Sequence, residues 1–363
     1  MAYRHLAYED VKAFCIKVFQ GYGFSPEESR QITDVLLEAD LSGIESHGIQ
    51  RLTRYHYEML SGFVKIDSKP EIVQETPISA LLDGHDGMGQ LIGVQAMQLA
   101  IEKARRCGFG IVTVRDANHY GIAGYYANMA VKEHMIGICM TNTESIMVPT
   151  FGSEPVLGTD PIAFAMPAQP VPFSFDAATT VVPRGKLEVY AKRGNGLPDG
   201  WALDETGRPS TDSDRVLQNI IAKSGGGILP LGGAGELTSG YKGYGFAMIC
   251  EIMTGILAMG CTSNHVNRTP GRVNTAQCFI ALDYGMFGDK AEIERRMSVF
   301  LQEIRDSRKA EGHSRIYIHG EKEQENHARV LREGIPVNEK TYSEMVRIGE
   351  YTGASDLLPD YLD

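Results

Sequence analysis

Three side chains that can do chemistry recur at helical spacing in the segment SHGIQRLTRY, residues 46–55. His47, Arg51 and Tyr55 are each four residues apart, so one helix would place an imidazole, a guanidinium and a phenol on the same face. With Ser46 as the N-cap, that face would adjoin the free N–H groups of the helix start, which attract anions. The segment therefore predicts a site for a small carboxylate. A solvated polar face with a hydrogen-bonded histidine would show the same pattern.

Further candidate residues follow predicted strands and glycine-rich loops. His119 follows the strand FGIVTVRD, at the edge where an α/β sheet binds its ligands. Asp176 ends the strand PFSFD, where a carboxylate can orient an imidazole or bind a ribose hydroxyl. Lys242 lies between two glycines and just before an apolar helix, which suits a phosphate. Each also has a structural alternative: a loop or cap histidine, a helix N-cap for Asp176 and a solvated turn for Lys242.

Several familiar signatures are missing from the sequence. No G-x-G-x-x-G opens a βαβ unit, and GELTSGYKG does not fit the phosphate-binding loop because Tyr241 separates the glycine from Lys242. The sequence contains neither H-E-x-x-H nor another tight set of metal ligands, and no G-x-S-x-G nucleophile motif. We therefore expect no metal site and no standard dinucleotide fingerprint.

Composition restricts the class of protein further. The 363 residues include 43% hydrophobic and 22% charged side chains, and the net charge of −11 argues against binding to nucleic acid or to an anionic membrane. No apolar run is long enough to cross a bilayer, and the opening residues are too polar for a signal peptide. The six cysteines form no C-x-x-C pair. The sequence predicts a cytoplasmic enzyme or small-molecule binder with reduced thiols.

The periodicity of apolar residues predicts a mixed order of helices and strands. Residues 1–75 are expected to form a helical lobe, with one helix from Tyr8 to Tyr22 and a second that starts at a capping box of Ser25 and Glu28. ISALLDG and FGIVTVRD are predicted strands that flank a helix over residues 90–107, which makes a βαβ unit. Residues 76–320 are expected to form an α/β region of one or two lobes.

The second half of the chain continues this alternation. The polar stretch over residues 184–214 is predicted to be surface loops, and an apolar helix is predicted over residues 246–259. AQCFIALDYGMF and RIYIHG are predicted strands around a helix over residues 289–311, which would make a second βαβ unit. Charged helices within residues 321–363 are expected to pack back on the N-terminal lobe.

Taken together, the motifs resemble one known family. SHGIQRLTRY, RDANHYGIAGYYA, MTNT, LGTDPIAFAMP, FDAATT, LPDGWALDETGRPSTD, LPLGG and GYKGYG occur in the same order in the type 2 malate/L-lactate dehydrogenase family. These enzymes are NAD(P)-dependent reductases of 2-oxo acids. The resemblance spans about residues 5–335. It implies an α/β fold with a non-Rossmann mixed sheet that binds the cofactor, in agreement with the missing fingerprint.

The resemblance also implies roles for individual residues. Family members differ in which histidine is the acid, so His47 and His119 both stay candidates, with Asp176 close to the reacting centre. The implied substrate-binding residues are Ser46, Arg51, Tyr55 and Asn142. The implied cofactor-binding residues are Phe175, Asp176, Ala178, Thr179, Tyr241, Lys242, Gly243, His319, Gly320 and Glu321. His319 occupies the place of a proline in other members.

The resulting hypothesis is hydride transfer between NAD(P)H and a 2-oxo acid, with oxaloacetate and malate as the first choice. The family also includes enzymes for lactate, sulfolactate, ureidoglycolate, diketogulonate and cyclic imino acids. A second anion site would favour malate, and Arg184, Lys186, Lys192 and Arg193 are candidates for it, although a basic cluster in a polar loop is usually solvated. The cofactor is predicted to be NAD, with NADP possible, and the family implies a homodimer. The alternative from another class is a non-catalytic small-molecule binder.

Overall fold

The computed structural model describes residues 3–362, apart from the side chain of Lys192. The strands are β1 (Tyr3–Leu6), β2 (Glu71–Glu75), β3 (Ser79–Asp83), β4 (Phe109–Ala117), β5 (Ile136–Thr141), β6 (Ile162–Met166), β7 (Phe173–Ala177), β8 (Ala202–Leu203), β9 (Gly227–Ile228), β10 (Thr275–Leu282) and β11 (Ile335–Asn338). The helices are α1 (Tyr8–Tyr22), α2 (Pro26–Leu41), α3 (Leu52–Leu60), α4 (Gly89–Cys107), α5 (Ala123–Val131), α6 (Arg184–Lys192), α7 (Ser213–Ala222), α8 (Gly240–Glu251), α9 (Lys290–Asp306), α10 (Glu321–Glu333) and α11 (Glu339–Thr352).

Seven strands form the central sheet, in the order β2-β3-β4-β10-β5-β6-β7. β3 and β4 are parallel and are joined by α4, which confirms the predicted βαβ unit. Every other neighbouring pair in this sheet is antiparallel. The sheet is therefore mixed, and the prediction of a non-Rossmann α/β fold is confirmed.

Helices cover both faces of the central sheet. Alternate residues of β10 point to opposite sides: Phe279 and Ala281 pack with α4 and α5, whereas Cys278 and Ile280 pack with α8. This alternation follows from the two-residue period of a strand, and it explains why β10 is apolar on both sides from Cys278 to Leu282. Within residues 3–362, no helix is both long and apolar enough to cross a membrane.

A second apolar cluster joins the two ends of the chain. It gathers side chains of α1, α2 and α3 with residues of β11 and α11, and β1 pairs with β11 in a separate two-stranded sheet. α1 has its predicted bounds, and α2 starts at the predicted capping box, where Ser25 and Glu28 cap each other's backbone N–H groups. The predicted domain boundary at residue 75 stays a prediction; β2 precedes it and pairs with β3, which follows it.

Three local predictions are wrong. Segment 315–320 is not a strand: its backbone meets β7 through a hydrogen bond from the Ser174 N–H to the His319 carbonyl, at 3.1 Å. The second βαβ unit is therefore absent from the described residues, and β10 is antiparallel to both of its neighbours. Residues 184–214 are not all loops, because they contain α6 and β8, whose apolar side chains pack around Leu187 and Ala202 in a third cluster. The apolar helix begins at Gly240, earlier than predicted.

Candidate active site

The segment SHGIQR does not form the predicted helix. Glu45–His47 and Ile49–Arg51 are two short 3₁₀ turns separated by Gly48, and α3 begins only at Leu52. Ser46 is therefore not an N-cap. The turn is held by the buried carboxylate of Asp40 in α2, which accepts a hydrogen bond from the Ile49 N–H at 2.7 Å. The apolar side chains of Ile49, Leu52 and Met59 are buried, whereas Leu60 is 51% exposed.

The structure brings the two candidate histidines together. The rings of His47 and His119 stack with their centroids 5.5 Å apart and an angle of 27° between their planes. The hydroxyl of Tyr55, which is fully buried, lies 2.8 Å from Nδ1 of His119. Ser46 Oγ lies 2.9 Å from Nδ1 of His47. Each imidazole therefore has a hydroxyl on Nδ1, which leaves its Nε2 for a ligand.

Arg51 lies beside this pair with most of its hydrogen-bonding capacity free. Its Nε donates to the backbone carbonyl of Ser46, and among the described residues no carboxylate lies within ion-pair distance of its guanidinium. A Cβ at Gly185, in the first turn of α6, would lie 3.8 Å from the Ser46 Cβ, so α6 begins close to this turn, and the charge of the neighbouring Arg184 acts on Arg51. A half-buried guanidinium whose two terminal NH₂ groups are both unused is suited to binding a carboxylate through a bidentate pair.

Burial and positive charge keep both imidazoles neutral. Burial, together with Arg51 and Arg54, lowers the pKa of His47 to about 4. The pKa of His119 lies well below its usual value for the same reason: burial acts first, followed by Arg54, His47 and Arg51. An anion bound at Arg51 would oppose this effect, because it would offset the charge that disfavours protonation.

A pocket of about 290 Å³ is lined by residues that neighbour the histidines in the chain, although neither His47 nor His119 lines it. Its wall includes Ile44, whose carbonyl accepts the His47 N–H at 3.0 Å, and Ile122, three residues after His119. The lining residues are Glu38, Ser42, Ile44, Ile122, Gly124, Tyr125, Asn128, Val171, Pro172, Ser174, Asp176, His319, Gly320, Glu323, Gln324 and His327. The pocket therefore brings together three regions of the chain that the sequence singled out.

Asp176 and His319 lie on the wall of this pocket. Oδ2 of Asp176 accepts the Gly124 N–H at 2.7 Å, in the first turn of α5, and burial raises the pKa of Asp176 to about 6. Asp176 lies within β7 and is not itself an N-cap; its carboxylate bonds to the start of another helix, and its role at the reacting centre stays a prediction. The His319 ring packs edge-on against Phe173 and Phe175, at 5.6 and 5.3 Å. At Gly320, with φ +101°, a Cβ would lie 2.9 Å from the Pro172 carbonyl, so the backbone passes closely there.

The side chains of two predicted site residues are already bonded to other groups of the protein. The Asn142 side chain is fully buried, donates to Glu251 and to the Cys261 carbonyl, and accepts the Ala276 N–H. Glu321 forms ion pairs with Arg305 and Arg315 and does not line the pocket. The structure thus gives both residues a role in holding strands and turns, and their ligand-binding roles stay predictions.

The loop GYKG, residues 240–243, is not part of the pocket lining. Lys242 is exposed in the first turn of α8, and its Nζ lies 5.8 Å from the ring centroid of Tyr241. Gly243 abuts the backbone of Leu231, whose N–H donates to the Thr179 carbonyl. Ala178 and Thr179 therefore connect the end of β7 to this loop.

Two residues near the histidines were missed by the sequence interpretation. Arg54 lowers the pKa of both imidazoles, although it lies one residue away from the i, i+4 pattern that directed attention to Arg51 and Tyr55. Gln90, in the first turn of α4, has a fully buried side chain. A glutamine in an otherwise apolar helix face was the available signal for it.

Comparison with known proteins places this geometry in a family. The model of the malate/L-lactate dehydrogenase family matches residues 6–346. The chain is 44% identical over 356 residues to a malate dehydrogenase of Pyrococcus abyssi, covering 98% of this chain and 97% of that protein. The chain belongs to the malate/L-lactate dehydrogenase family. It is therefore a dehydrogenase that acts with a nicotinamide cofactor, as the sequence resemblance implies.

Other family members show how far the likeness extends. An L-sulfolactate dehydrogenase of Methanocaldococcus jannaschii is 36% identical over 359 residues, which cover 98% of each chain. The crystal structure of malate dehydrogenase from Entamoeba histolytica superposes with a TM-score of 0.94 at 34% identity, covering 97% of this chain and 99% of that chain. The fold is thus shared with solved dehydrogenase structures over nearly the whole chain.

The pocket wall has the chemistry that a dinucleotide needs. Gly320 gives close access to the backbone, and His319, which packs against Phe175 behind it, offers a flat ring. Ser174, Asn128 and Asp176 present groups that can bind hydroxyls. In the described residues, no cluster of three or more metal-binding side chains lies together. With a volume of about 290 Å³, the residues of this pocket fit one part of a nicotinamide dinucleotide, such as a ribose with its neighbouring ring.

Proposed function

We propose that this dehydrogenase reduces oxaloacetate to malate with NADH, and catalyses the reverse reaction with NAD. The observation that carries the proposal is the unpaired guanidinium of Arg51 beside the stacked imidazoles of His47 and His119. A 2-oxo acid has a carboxylate next to its reacting carbonyl, and these residues would bind the one and protonate the other.

The side chains divide the work of the reaction. Arg51 would hold the C1 carboxylate in a bidentate pair, which fixes the carbonyl face presented to the cofactor. His47 or His119 would give a proton from Nε2 to the carbonyl oxygen, and would accept it when the 2-hydroxy acid is oxidised. Ser46 and Tyr55 hold the two imidazoles through Nδ1. The bound cofactor supplies or accepts the hydride at C2.

The case for a substrate with a second acidic group comes from the relatives and not from spare positive charge. Arg54 pairs with Glu58 at 2.7 Å and Arg184 pairs with Glu188 at 3.1 Å, so Arg51 is the one of these three arginines whose charge no carboxylate in the described residues balances. Arg184 is one of the proposed second-anion residues, and the Lys192 side chain lies outside the described part of the chain. The names of the relatives include malate and sulfolactate, which are both dianions at neutral pH.

A panel assay tests this function. Oxidation of NADH is followed with oxaloacetate, sulfopyruvate, pyruvate and 2-oxobutyrate. We expect kcat/KM for oxaloacetate to exceed that for pyruvate by about a hundredfold, because pyruvate lacks the second carboxylate. If sulfopyruvate were the preferred substrate, the proposed product would be sulfolactate instead of malate. No turnover with any member, despite measurable NADH binding, would support the non-catalytic binder.

We propose NAD rather than NADP as the cofactor. The pocket wall carries the carboxylates of Glu38, Asp176 and Glu323, and among its lining residues there is no lysine or arginine. A 2′-phosphate would be repelled there, whereas ribose hydroxyls can donate to carboxylates. We expect kcat/KM to be higher with NADH than with NADPH, and Glu38→Gln to narrow the difference. If Glu38→Gln changed kcat/KM for NADH and for NADPH by the same factor, the acidic wall would not be the cause of the preference for NADH.

We also propose that the protein is a homodimer formed through α8 and the π-helical turn that follows it. One side of this segment packs on the sheet, but Phe246, Ile249, Ile252 and Ile256 on the other side are 48–57% exposed. Lys242 is the only lysine or arginine from Gly240 to Gly260, and the acidic Glu251 is buried, so this surface is poorly suited to water and well suited to a second copy.

Light scattering coupled to size-exclusion chromatography tests the dimer. We expect wild type to elute at twice the mass of the chain and Ile249→Glu to shift towards the monomer. Leu331→Glu, at a residue 58% exposed on α10, is the matched control and should leave the mass unchanged. A monomeric wild type would refute the proposal.

The cytoplasm remains the proposed location, supported by six cysteines that form no disulfide in the described structure.

A further inference from the structure

Asn118, the residue just before His119, has a buried side chain whose amide nitrogen meets three backbone carbonyls. Its Nδ2 lies 3.1 Å from the oxygen of Phe63, 2.8 Å from that of Asp86 and 3.0 Å from that of Gly87. Only the NH₂ end of an amide can face three carbonyl oxygens, so the surroundings fix the orientation of the side chain. Oδ1 is buried and makes no hydrogen bond in the described structure. The position therefore uses asparagine for its donors.

The first of these carbonyls belongs to the residue that closes the end of α3. The Phe63 N–H donates to the carbonyl of Glu58, in the last turn of that helix, at 2.9 Å. Residue 63 is therefore fixed to α3, and its bond to Asn118 ties the helix to the loop that carries His119. The same helix carries Tyr55, whose hydroxyl lies 2.8 Å from Nδ1 of His119. Asn118 and Tyr55 thus connect α3 to this loop at two points.

The other two carbonyls belong to the turn before α4, which is itself held in place. The buried carboxylate of Asp86 accepts from Nζ of Lys65 at 2.8 Å and from Nε of Arg272 at 2.9 Å. The Asp86 N–H donates to the carbonyl of Asp116, in β4, at 2.9 Å. Charge-assisted bonds to a buried carboxylate are short and strong, so this turn is a firm support. Asn118 therefore joins α3 to a turn that is fixed to the central sheet.

We propose that Asn118 is a positioning residue that keeps the Tyr55 hydroxyl within hydrogen-bonding distance of His119. This proposal rests on the proposed function and takes His119 as the imidazole that transfers the proton. α3 is held at both ends: its start follows the turn bonded to Asp40, and the residue beyond its end is bonded to Asn118. Loss of the second attachment lets the end of α3 move relative to the His119 loop, while the turn at its start stays in place.

A small movement is enough to affect the reaction. A contact of 2.8 Å between a hydroxyl oxygen and a ring nitrogen stops being a hydrogen bond at about 3.6 Å. Tyr55 is fully buried, so its hydroxyl cannot turn to water when it loses His119. Misplacement of a catalytic group by about 1 Å can cost about a hundredfold in rate. The rate of proton transfer should therefore depend on both attachments of α3.

The kinetic test measures kcat and KM for oxaloacetate in Asn118→Ala, in Tyr55→Phe and in the double variant. We expect Asn118→Ala to lower kcat about tenfold to a hundredfold with little change in KM, because Arg51 and the turn before it stay in place. In the Tyr55→Phe background the hydroxyl is already gone, so Asn118→Ala should lower kcat by less than about twofold more. If the two losses multiply instead, or if Tyr55→Phe keeps the wild-type kcat, Asn118 does not act through Tyr55 and the proposal is overturned.

Asn274→Ala is the matched control. Asn274 is also buried, its Nδ2 donates to Oδ1 of Asp116 at 2.8 Å, and its Oδ1 makes no hydrogen bond in the described structure. Its loss removes a buried amide from the same region and leaves the bond between Asn118 and Phe63 intact. We expect lower stability with the wild-type kcat. If Asn274→Ala reproduces the kcat loss of Asn118→Ala, general loosening explains that loss and the proposal fails. Asn118→Ser keeps one donor and replaces Asn118→Ala if that variant does not fold; its smaller loss of kcat should show the same dependence on Tyr55.

A measurement without turnover separates this proposal from the proposed function. Nitrogen-15 NMR of the histidine rings, with the His119 signals assigned by their loss in His119→Gln, reports the surroundings of Nδ1. Tyr55→Phe gives the Nδ1 signal that belongs to the absent hydrogen bond. We expect Asn118→Ala to move the signal towards that position and Asn274→Ala to leave it at the wild-type position. A wild-type Nδ1 signal in Asn118→Ala would refute the role of Asn118. Absence of turnover with every 2-oxo acid would refute the proposed function alone, since the NMR result would still decide whether Asn118 holds this hydrogen bond.

Discussion

Replacing Gly48 with alanine tests how the His47 turn is held. A Cβ at residue 48 would lie 2.1–2.4 Å from three carboxyl atoms of Asp40, far inside van der Waals contact. The backbone at Gly48 has φ −86°, so the glycine is required by this close approach and not by a left-handed conformation. Either the buried carboxylate moves, which leaves the Ile49 N–H without its acceptor, or the turn carrying His47 moves.

The expected cost follows from these two alternatives. An unsatisfied buried N–H costs about 1–3 kcal/mol, and overpacking of a filled core costs a similar amount. We therefore expect Gly48→Ala to lower the free energy of unfolding by about 2–4 kcal/mol in urea titrations. The matched control is Gly185→Ala, because its Cβ would meet only the Ser46 Cβ, at 3.8 Å. It should not destabilise the protein.

A double-variant cycle identifies the cause of the loss. Asp40→Ala removes the carboxylate that the new methyl group would meet, so Gly48→Ala should cost less than about 1 kcal/mol in that background. If Gly48→Ala costs as much with Asp40→Ala as without it, the contact with Asp40 does not explain the glycine and the reasoning fails. A stable Gly48→Ala single variant would refute it more directly.

Three further predictions concern charge. Burial raises the pKa of Asp40 from 3.8 to about 8. Between these two pH values the folded chain binds more protons than the unfolded chain. The free energy of unfolding should therefore fall as the pH rises from about 4 to about 8. In urea titrations at pH 6 and pH 8, Asp40→Asn should lose this dependence, whereas an equal slope in both proteins would contradict it. Arg51→Lys keeps the charge but not the fork, so kcat/KM for oxaloacetate should drop about a hundredfold with unchanged thermal stability. The pKa of His47 is near 4 in the free protein and should rise when a bound anion offsets the charge of Arg51. Binding of oxaloacetate to the complex with NAD should therefore take up protons at pH 7. Calorimetry in buffers of different ionisation enthalpy measures this uptake.

Local sequence signals predicted the elements that depend on neighbouring residues. The capping box at Ser25 and the left-handed Gly23 after α1 define helix ends within a few residues, so those bounds agree with the structure. RIYIHG has the aromatic and β-branched composition of a strand, but it pairs with no other strand in the described structure. Composition does not reveal this, because strand pairing depends on residues far away in sequence. The segment instead lies beside β7, and its ends are shaped by Glu321 and two arginines.

The candidate site was predictable as a set of residues but not as a geometry. His47 and His119 stand 72 positions apart in the chain, and no spacing rule brings them into a stack. The i, i+4 pattern identified Arg51 and Tyr55, although the helix predicted over this segment is interrupted by the turn at Gly48. That turn depends on a buried aspartate in another helix, which reads in the sequence as an ordinary polar position.

The same burial that makes the histidines neutral explains how the site can protonate a substrate only when one is bound. In the free protein, Arg51 and Arg54 oppose protonation of imidazoles that are already buried. A carboxylate held by Arg51 offsets that positive charge at the moment when the carbonyl group comes within reach of Nε2. Binding would therefore orient the substrate and raise the proton affinity of its acid in one step. An arginine already paired with a protein carboxylate would lose this coupling, which is a physical reason for Arg51 to be unpaired.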